Sequence, residues 1–468
     1  MPITGDHPDG GAIIMQHPFV IIGDGFAAAV LLVHLARRDF DLSLITVIGT
    51  APLGHGKAYG TTHPHFRLNV RDNLMVIDQN IPDDFVNWAK HIDDPDAVAD
   101  NGAGRFYRRG DFARYLSGVL AHHDIERQIT VISGKAIDIK PHQPDHDDNM
   151  ALWDIRLDNG DIVSSRNVIL ATGNPSPSVQ HLIADDLPAD LKAKHIIATP
   201  WKGDALDNIP STAHIGLIGG GLTALDACLG LYENGHKGQI SLITPHGILP
   251  PPQSTWEHVD IPPFPENLTA STFLRHIRTY LPDSDWTQFA WQSAYEGLRV
   301  QLPDGWRRLP DRDKRRLMNR LGWLWSLIRY RASPQSITAV NAMQSSGQMQ
   351  IIKDRVNSII SGHAAPPLSL TLNSHDAVDC DYAIIASGVG HDPLMAQLMK
   401  THIVGTTANG GIHVNNDFQL LSPDCHPQTG LWALGPPTQS ALGDVIGATT
   451  IAKQAAGLAD QLLAITTS

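Results

Sequence analysis

The chain has 468 residues, of which 42% are hydrophobic and 18% charged, the composition of an ordinary globular protein with ample core. Its formal net charge of −13 argues against nucleic acid or an anionic membrane as the main partner. No uninterrupted apolar run is long enough to span a bilayer, and the first Lys or Arg is Arg37, so we expect no secretory signal and a cytoplasmic location.

The first predicted unit is a strand, a glycine-rich turn and a helix, read as F-V-I-I-G-D-G-F-A-A-A. In a dinucleotide-binding turn the first glycine permits a tight turn, the second lets the backbone approach a pyrophosphate, and the third small residue lets helix pack on strand. The N-terminus of the helix then presents free N–H groups to the phosphates. A second strand over Leu42–Ile48 continues the βαβ pattern. The candidate cofactor-binding residues here are Gly23, Gly25, Phe26, Ala27 and Ala28.

The next segments read as loops that carry contacts, followed by a strand-rich stretch from Ile129 to Leu170. Asn159-Gly160 predicts a hairpin turn within that stretch. Its last strand runs into Ala171-Thr172-Gly173, and small residues at that point let the backbone lie against a nucleotide. Simple close packing is the alternative interpretation.

A second fingerprint, I-G-L-I-G-G-G-L-T-A-L-D, again joins a strand to a helix. A strand Q-I-S-L-I-T follows, then a helical region rich in Trp and Arg from about Ala270 to Val356. Strands return before Gly388, and an Ala-rich helix closes the chain. Two fingerprints in this order predict a flavin site followed by a nicotinamide site. The candidate residues of the second half are Gly219, Gly221, Leu222, Thr223, Ala224, Gly388, Gly435 and Asp444, the last also a possible helix cap.

Taken together, the motifs resemble bacterial FAD/NAD(P)-binding proteins related to flavin-dependent monooxygenases, a group with amino-acid N-hydroxylases and a urate hydroxylase. The matching segments include L-G-H-G-K-A-Y-G-T, F-R-L-N-V, I-L-A-T-G-N-P-S-P, G-I-L-P-P-P and L-W-A-L-G-P. The resemblance implies an α/β fold with two Rossmann-like domains, the NAD(P) domain and a helical segment being inserted into a FAD domain. The implied bounds are 1–205 and 361–468 for the FAD domain and 206–360 for the insertion.

The implied activity is that of a FAD-dependent oxidoreductase that consumes NADPH or NADH. It would hydroxylate a small nucleophilic substrate with O2, through a peroxyflavin. A flavin dehydrogenase or reductase with another electron acceptor, and a nucleotide-binding protein without turnover, remain the alternatives. The three cysteines are far apart with no Cys-x-x-Cys pair, which fits a reducing cytosol and argues against a disulfide reductase.

The sequence departs from the family pattern at three places. Gly49 stands where a Glu would hold the adenosine ribose of FAD, so we expect moderate FAD affinity that Gly49→Glu would raise. Thr244-Pro245-His246 stands where an Arg would suit a 2′-phosphate, which leaves the choice between NADPH and NADH open. Arg71 stands where Pro is expected.

The resemblance implies that Asn69 and Arg71 lie near the flavin ring, where each could bind the flavin edge, the substrate or the nicotinamide. Asn69 is therefore a candidate cofactor-binding residue, and both are candidates for the substrate chamber. The alternative for Arg71 is a salt-bridged loop residue. The basic run between Arg307 and Arg331 predicts a solvated helix face or, through one or two arginines, a clamp for a phosphate or an anionic substrate. We predict no metal site, because His142 and His146 with their neighbouring aspartates lie in a polar loop.

Overall fold

The computed structural model describes residues 15–61, 63–142, 152–257, 259–281, 290–362 and 365–467. They form two units. The first comprises the described residues of 1–56, 117–173 and 392–468, and the second those of 57–116 and 174–391.

The helices and strands alternate along much of the chain, as expected for an α/β protein. The helices are α1 (Phe26–Ala36), α2 (Asp84–Ala89), α3 (Arg109–His122), α4 (Ile125–Gln128), α5 (Ala189–His195), α6 (Leu222–Glu233), α7 (Ala270–Tyr280), α8 (Trp291–Arg299), α9 (Leu302–Arg308), α10 (Asp311–Arg329), α11 (Pro334–Ser345), α12 (Pro393–Lys400), α13 (Gln439–Leu442) and α14 (Ala448–Thr467). The strands are β1 (Met15–Ile22), β2 (Ile45–Gly49), β3 (Thr130–Ser133), β4 (Ala136–Pro141), β5 (Trp153–Leu157), β6 (Ile162–Leu170), β7 (Ile196–Ile197), β8 (Ile215–Ile218), β9 (Ile240–Thr244), β10 (Met349–Lys353), β11 (Val356–Ser361), β12 (Leu368–Leu372), β13 (Val378–Cys380), β14 (Tyr382–Ile385), β15 (Gln419–Leu421) and β16 (Pro427–Ala433).

The sheet of the first unit has the strand order β15-β16-β6-β1-β2-β3, and β4 and β5 extend it from β6. The strands β16, β6, β1, β2 and β3 are parallel. The helix α1 is apolar except for His34, and every residue from Phe26 to Leu35 is buried. It is buried on both sides because α14 covers it as well as the sheet. The chain order reverses at β1, so the end of β1 is the switch point at which α/β sheets bind ligands.

The second unit contains a parallel sheet in the order β10-β9-β8-β14-β7 and a separate antiparallel sheet of β11, β12 and β13. The strand β8 lies between β9 and β14, as β1 lies between β2 and β6 in the first unit. The end of β8 is therefore the second switch point. The helices α7, α9 and α10 pack around a further cluster of buried residues that includes Phe264, Phe273 and Leu317.

The predicted α/β class with two Rossmann-like sheets is confirmed. The hairpin at Asn159-Gly160 joins the antiparallel strands β5 and β6. The helical region ends at Ser345, and the strand β10 occupies most of the remaining stretch that was predicted to be helical up to Val356. The predicted domain bounds stay predictions. The structure groups 57–116 with the second unit, and the ion pair between Arg109 and Asp226 is one contact that joins them.

Within the described ranges, no helix is both long enough and apolar enough to cross a membrane.

Candidate dinucleotide sites

The first glycine turn joins the end of β1 to α1. Gly23 has φ +113°, which L side chains rarely adopt, and a Cβ atom there would overlap the carbonyl group of Ala171. The Gly23 amide donates to the Ile48 carbonyl at 2.8 Å, and the Ala171 amide donates to the Ile22 carbonyl at 2.9 Å. Gly23 therefore brings β1 and the end of β6 close together at the switch point.

Gly25 stands at the N-cap of α1 with an ordinary φ of −79°, so its backbone does not require glycine. A Cβ atom at Gly25 would meet only the Gly56 Cα atom, at 3.7 Å. The first-turn amides of a helix have no acceptor within the helix, and no side chain caps this one. The turn thus offers open space and unsatisfied N–H groups, including those of Ala27 and Ala28, as a pyrophosphate requires.

The other candidates of the first unit lie around this turn. Thr172 donates its hydroxyl to Asp392 at 2.6 Å. Gly173 has φ +68°, and no described atom lies within 4 Å of its Cβ position, so its backbone is open to a ligand. At Gly435 a Cβ atom would lie 3.3 Å from the Ala27 Cβ atom, so the end of β16 lies next to α1. Asp444 precedes α14 by four residues, and its role at the flavin stays a prediction.

The position of the missing ribose carboxylate holds a carboxylate from elsewhere. Asp24 folds over the end of β2, where its Oδ2 accepts hydrogen bonds from the amides of Thr50 and Ala51, both at 2.6 Å. A Cβ atom at Gly49 would overlap that carboxylate, with the Asp24 Cγ atom at 2.7 Å. The expectation that Gly49→Glu raises FAD affinity stays untested, but the Asp24 side chain occupies the space that a side chain at position 49 would need.

The second glycine turn repeats the first. Gly219 has φ +109°, and a Cβ atom there would overlap the carbonyl of Ala386, the residue that follows β14. Its amide donates to Ile243 on β9 at 2.9 Å. Gly221 is the N-cap of α6 with φ −88°, and nothing lies within 4 Å of its Cβ position. Leu222 and Thr223 then form the first turn of α6, Ala224 is fully buried, and Gly388 follows Ala386 on the facing strand end.

An aromatic pair and a lysine lie beside the end of β9. The His246 ring stacks on the Trp323 ring of α10, with ring centroids 4.0 Å apart and planes 20° from parallel. Lys353 is the β10 partner of Thr244 and is exposed. Arg320, exposed as well, precedes Trp323 by about one turn of α10. No arginine occurs at 244–246, but Lys353 lies at this strand end, and Arg320 lies on α10 about one turn before the tryptophan that stacks there.

The loop with Asn69 and Arg71 is joined to the segment after G-I-L-P-P-P. The Asn69 carbonyl accepts a hydrogen bond from the Gln253 side chain at 3.0 Å. The Arg71 guanidinium lies over the Trp256 ring, 4.4 Å from its centroid. Burial lowers the pKa of Arg71, which the neighbouring Glu296 and Asp72 partly offset. Within the described part of the chain its buried Nε has no hydrogen-bond partner. The assignment of Arg71 to the substrate chamber stays a prediction, beside the alternative of a loop residue held by its acidic neighbours.

Part of the basic run is structural. Arg331 is buried and donates to Gln292 at 2.8 Å and to Glu296. Arg308 pairs with Asp304 at 2.9 Å. These residues belong to the fold of the helical region. Arg316 and Arg320 are exposed and have no ion-pair partner among the described residues.

The described residues contain no group of His, Cys, Asp or Glu that could hold a metal ion. His142 bonds to the Asp154 carboxylate at 2.9 Å. The other members of the candidate cluster, His146, Asp145, Asp147 and Asp148, lie outside the described residues.

Comparison with known proteins agrees with this geometry. Residues 20–175 match the family model described as FAD-NAD(P)-binding, so the chain contains a FAD/NAD(P)-binding domain. No curated protein matches the chain.

Solved structures show the same fold across almost the whole chain. The reduced form of ornithine hydroxylase from Pseudomonas aeruginosa has a TM-score of 0.63 at 16% identity, covering 96% of this chain and 99% of its own. The ornithine N-hydroxylase of Kutzneria sp. 744, with reduced FAD, NADP+ and L-ornithine, has a TM-score of 0.59 at 16% identity, covering 97% and 100%. The bacillithiol disulfide reductase of Staphylococcus aureus has a TM-score of 0.56 at 13% identity, covering 97% and 99%. At these identities the likeness shows that the fold is shared, and no more than that.

Proposed function

We propose that this protein is a FAD-dependent oxidoreductase that consumes NADPH or NADH and hydroxylates a small nucleophilic substrate with O2. The observation that supports the proposal is the presence, in one chain, of two dinucleotide turns with the same geometry. Gly23 and Gly219 have φ values of +113° and +109°, and each packs against the residue that follows a neighbouring strand. A protein that binds a single dinucleotide needs only one such turn.

The residues of the chain bind and orient the cofactors and the substrate, and they exclude water from them. When bound, FAD supplies the electron and oxygen chemistry. We propose that the turn at Gly25 and the N-terminus of α1 hold the FAD pyrophosphate, and that the turn at Gly221 and the N-terminus of α6 hold the nicotinamide dinucleotide. We further propose that Arg71 binds an anionic group of the substrate. Ornithine, named with two of the similar structures, has a carboxylate that would suit such a site.

A flavin reductase with another electron acceptor is the second candidate, supported by the likeness to a disulfide reductase. The cysteines argue against thiol–disulfide chemistry in this chain. Burial raises the pKa of the Cys228 and Cys380 thiols to about 12, and the third thiol, Cys425, is exposed. Thiolates are the nucleophiles of disulfide exchange, so the two buried thiols are unsuited to it. Three free thiols also support the proposed cytoplasmic location.

The test is turnover of the purified protein with FAD and NAD(P)H, in air with candidate substrates and under argon with a quinone or dye. We expect O2 and NAD(P)H to be consumed only when substrate is present. A hydroxylated amine or related product should then be detected by mass spectrometry. NAD(P)H oxidation by a quinone or dye under argon, with no oxygenated product in air for any candidate substrate, would favour the reductase. Protein that is colourless and does not bind added FAD would reject both enzymes.

We predict that the choice of nicotinamide dinucleotide depends on Lys353 and Arg320. Both are exposed cations near the end of β9, the strand whose end contacts the adenosine ribose in dinucleotide-binding domains. Alanine at either position should raise the Michaelis constant for NADPH by about tenfold, since one charge-assisted contact contributes about 1.5 kcal/mol or more. The constant for NADH should change less than twofold.

Arg307→Ala is the matched control, because Arg307 already faces Asp304 at 3.7 Å. Steady-state rates with both cofactors decide the point. A strong NADPH preference that survives alanine at Lys353, Arg316 and Arg320 would assign the phosphate contacts to other residues.

A further inference from the structure

Asp24 is the middle residue of the first glycine turn, and its carboxylate lies at the end of the neighbouring strand. Ile22 of β1 pairs with Ile48 of β2, so two residues further on Asp24 comes alongside Thr50. Its Oδ2 accepts both the Thr50 and the Ala51 amides at 2.6 Å. Its main-chain carbonyl accepts the Gly54 amide at 2.7 Å. Three hydrogen bonds therefore fix this residue over the end of β2.

These bonds leave one carboxylate oxygen available. Both amides use Oδ2, and no donor among the described residues reaches Oδ1. A carboxylate anchored through one oxygen keeps a fixed orientation, and its second oxygen can accept hydroxyl groups without reorganisation.

A carboxylate at this place has a known use in dinucleotide-binding units. An acidic residue near the end of the second strand accepts a hydrogen bond from a ribose hydroxyl of the adenosine half. Position 49 at the end of β2 has no side chain, and the volume that its side chain would use is filled by Asp24, whose Cβ and Cγ atoms would lie 2.6 and 2.7 Å from a Cβ atom there. An acidic side chain at 49 and the carboxylate of Asp24 exclude each other.

We infer that Asp24 is the ribose-binding residue of the FAD site, with its Oδ1 accepting a hydroxyl of the FAD adenosine ribose. The inference rests on the proposed binding of FAD to the first glycine turn. It also explains Gly49: glycine is needed there because the carboxylate that binds the ribose comes from the turn between β1 and α1.

The test removes the carboxylate from position 24 and places one at position 49. The apoprotein of each variant is titrated with FAD, binding is followed by flavin fluorescence, and the melting temperature of each apoprotein is recorded. Asp24→Asn keeps an acceptor for the two amides but removes the charge, and should weaken FAD binding by about tenfold or more. Asp24→Ala should do at least as much, and Gly49→Glu alone should also weaken binding because its side chain collides with Asp24. The double variant Asp24→Ala/Gly49→Glu should bind FAD more tightly than either single variant.

Two ligand analogues identify the contact. The two analogues are FAD without the adenosine 2′-hydroxyl and FAD without the 3′-hydroxyl. The analogue that lacks the hydroxyl in contact with Asp24 should bind wild-type protein about tenfold more weakly than FAD does. Asp24→Ala has no polar side-chain atom that could contact the hydroxyl, so it should bind FAD and that analogue equally. Asp417→Asn, which removes an exposed carboxylate of the same unit, should behave as wild type.

The inference is overturned if Asp24→Asn and Asp24→Ala bind FAD with wild-type affinity, or if wild type does not distinguish FAD from either deoxy analogue. The Asp24 variants could also lose affinity for FAD and for both deoxy analogues by the same factor, with a lowered melting temperature. Asp24 would then only stabilise the turn, and the inference would be overturned as well. Wild-type apoprotein that binds no FAD at all would instead reject the proposed function.

Discussion

Alanine at Gly25 is expected to leave the first unit folded and to lower its FAD affinity by at least about tenfold. The φ of −79° suits any residue, and the Cβ atom would meet only the Gly56 Cα atom, at 3.7 Å, an ordinary van der Waals distance. The pyrophosphate, however, must approach the backbone at this residue. Displacing it from the helix N–H groups weakens charge-assisted hydrogen bonds of about 1.5–3 kcal/mol. Melting curves of apoprotein and FAD titrations measure the two effects separately.

Gly23→Ala is the structural counterpart. Its Cβ atom would overlap the Ala171 carbonyl, and φ is +113°. We expect a loss of about 2 kcal/mol or more in the free energy of unfolding, seen in the absence of any ligand. If Gly25→Ala binds FAD as wild type does, the first turn serves only to pack helix on strand, and the proposed flavin site fails with it.

Alanine substitutions at the two corresponding glycines of the second turn test whether that turn binds a different cofactor from the first. Gly221→Ala has free space at its Cβ position and should raise the Michaelis constant for the nicotinamide dinucleotide by roughly tenfold or more, with FAD content unchanged. Gly219→Ala should lower the melting temperature, because its Cβ atom would lie 2.6 Å from the Ala386 carbonyl carbon. Loss of FAD in Gly221→Ala would contradict the assignment of the two cofactors to the two turns.

The local parts of this architecture could be predicted because their signals are local. An apolar strand, two glycines at fixed spacing and an apolar helix indicate both turns, and Asn159-Gly160 indicates the hairpin between β5 and β6. The end of the helical region could not be placed as well. The strand β10 follows α11 after a short turn at Gly347, and a short apolar run does not distinguish helix from strand.

The contacts that refine the candidate sites connect residues far apart in sequence, and no periodicity predicts them. Asp24 stands between two glycines, at a position where the dinucleotide fingerprint specifies no residue type. The sequence alone therefore indicates a lost carboxylate at Gly49 and gives no sign of the one from Asp24. The stacking of His246 on Trp323 brings α10 to the end of β9 across 77 residues of chain. The segment 57–116 has loop-like sequence, and its grouping with the second unit depends on tertiary contacts such as those of Arg71 and Arg109.

Arg71→Ala is expected to raise the Michaelis constant of an anionic substrate roughly tenfold to a hundredfold, because a charge-assisted contact of about 1.5–3 kcal/mol is removed. Substrate-independent reduction of the flavin by NAD(P)H should keep its rate. The guanidinium also stacks on Trp256, so we expect a stability loss of about 1 kcal/mol rather than none. Steady-state kinetics, rapid-mixing flavin reduction and melting curves measure these three quantities.

Two further variants distinguish substrate binding from packing. Arg71→Lys keeps the charge but loses the planar fork, and should recover only part of the lost affinity. Arg105→Ala removes an exposed arginine whose charge also interacts with Asp72, and should leave the Michaelis constant unchanged.

Arg71 already has Trp256 on one face and is partly desolvated, with its pKa lowered by burial. Such a guanidinium gains more from an anionic partner than a hydrated one does, since much of its desolvation has already occurred on folding. If Arg71→Ala instead releases FAD or unfolds the protein, Arg71 serves the cofactor or the fold, and a substrate without a negative charge becomes the better proposal.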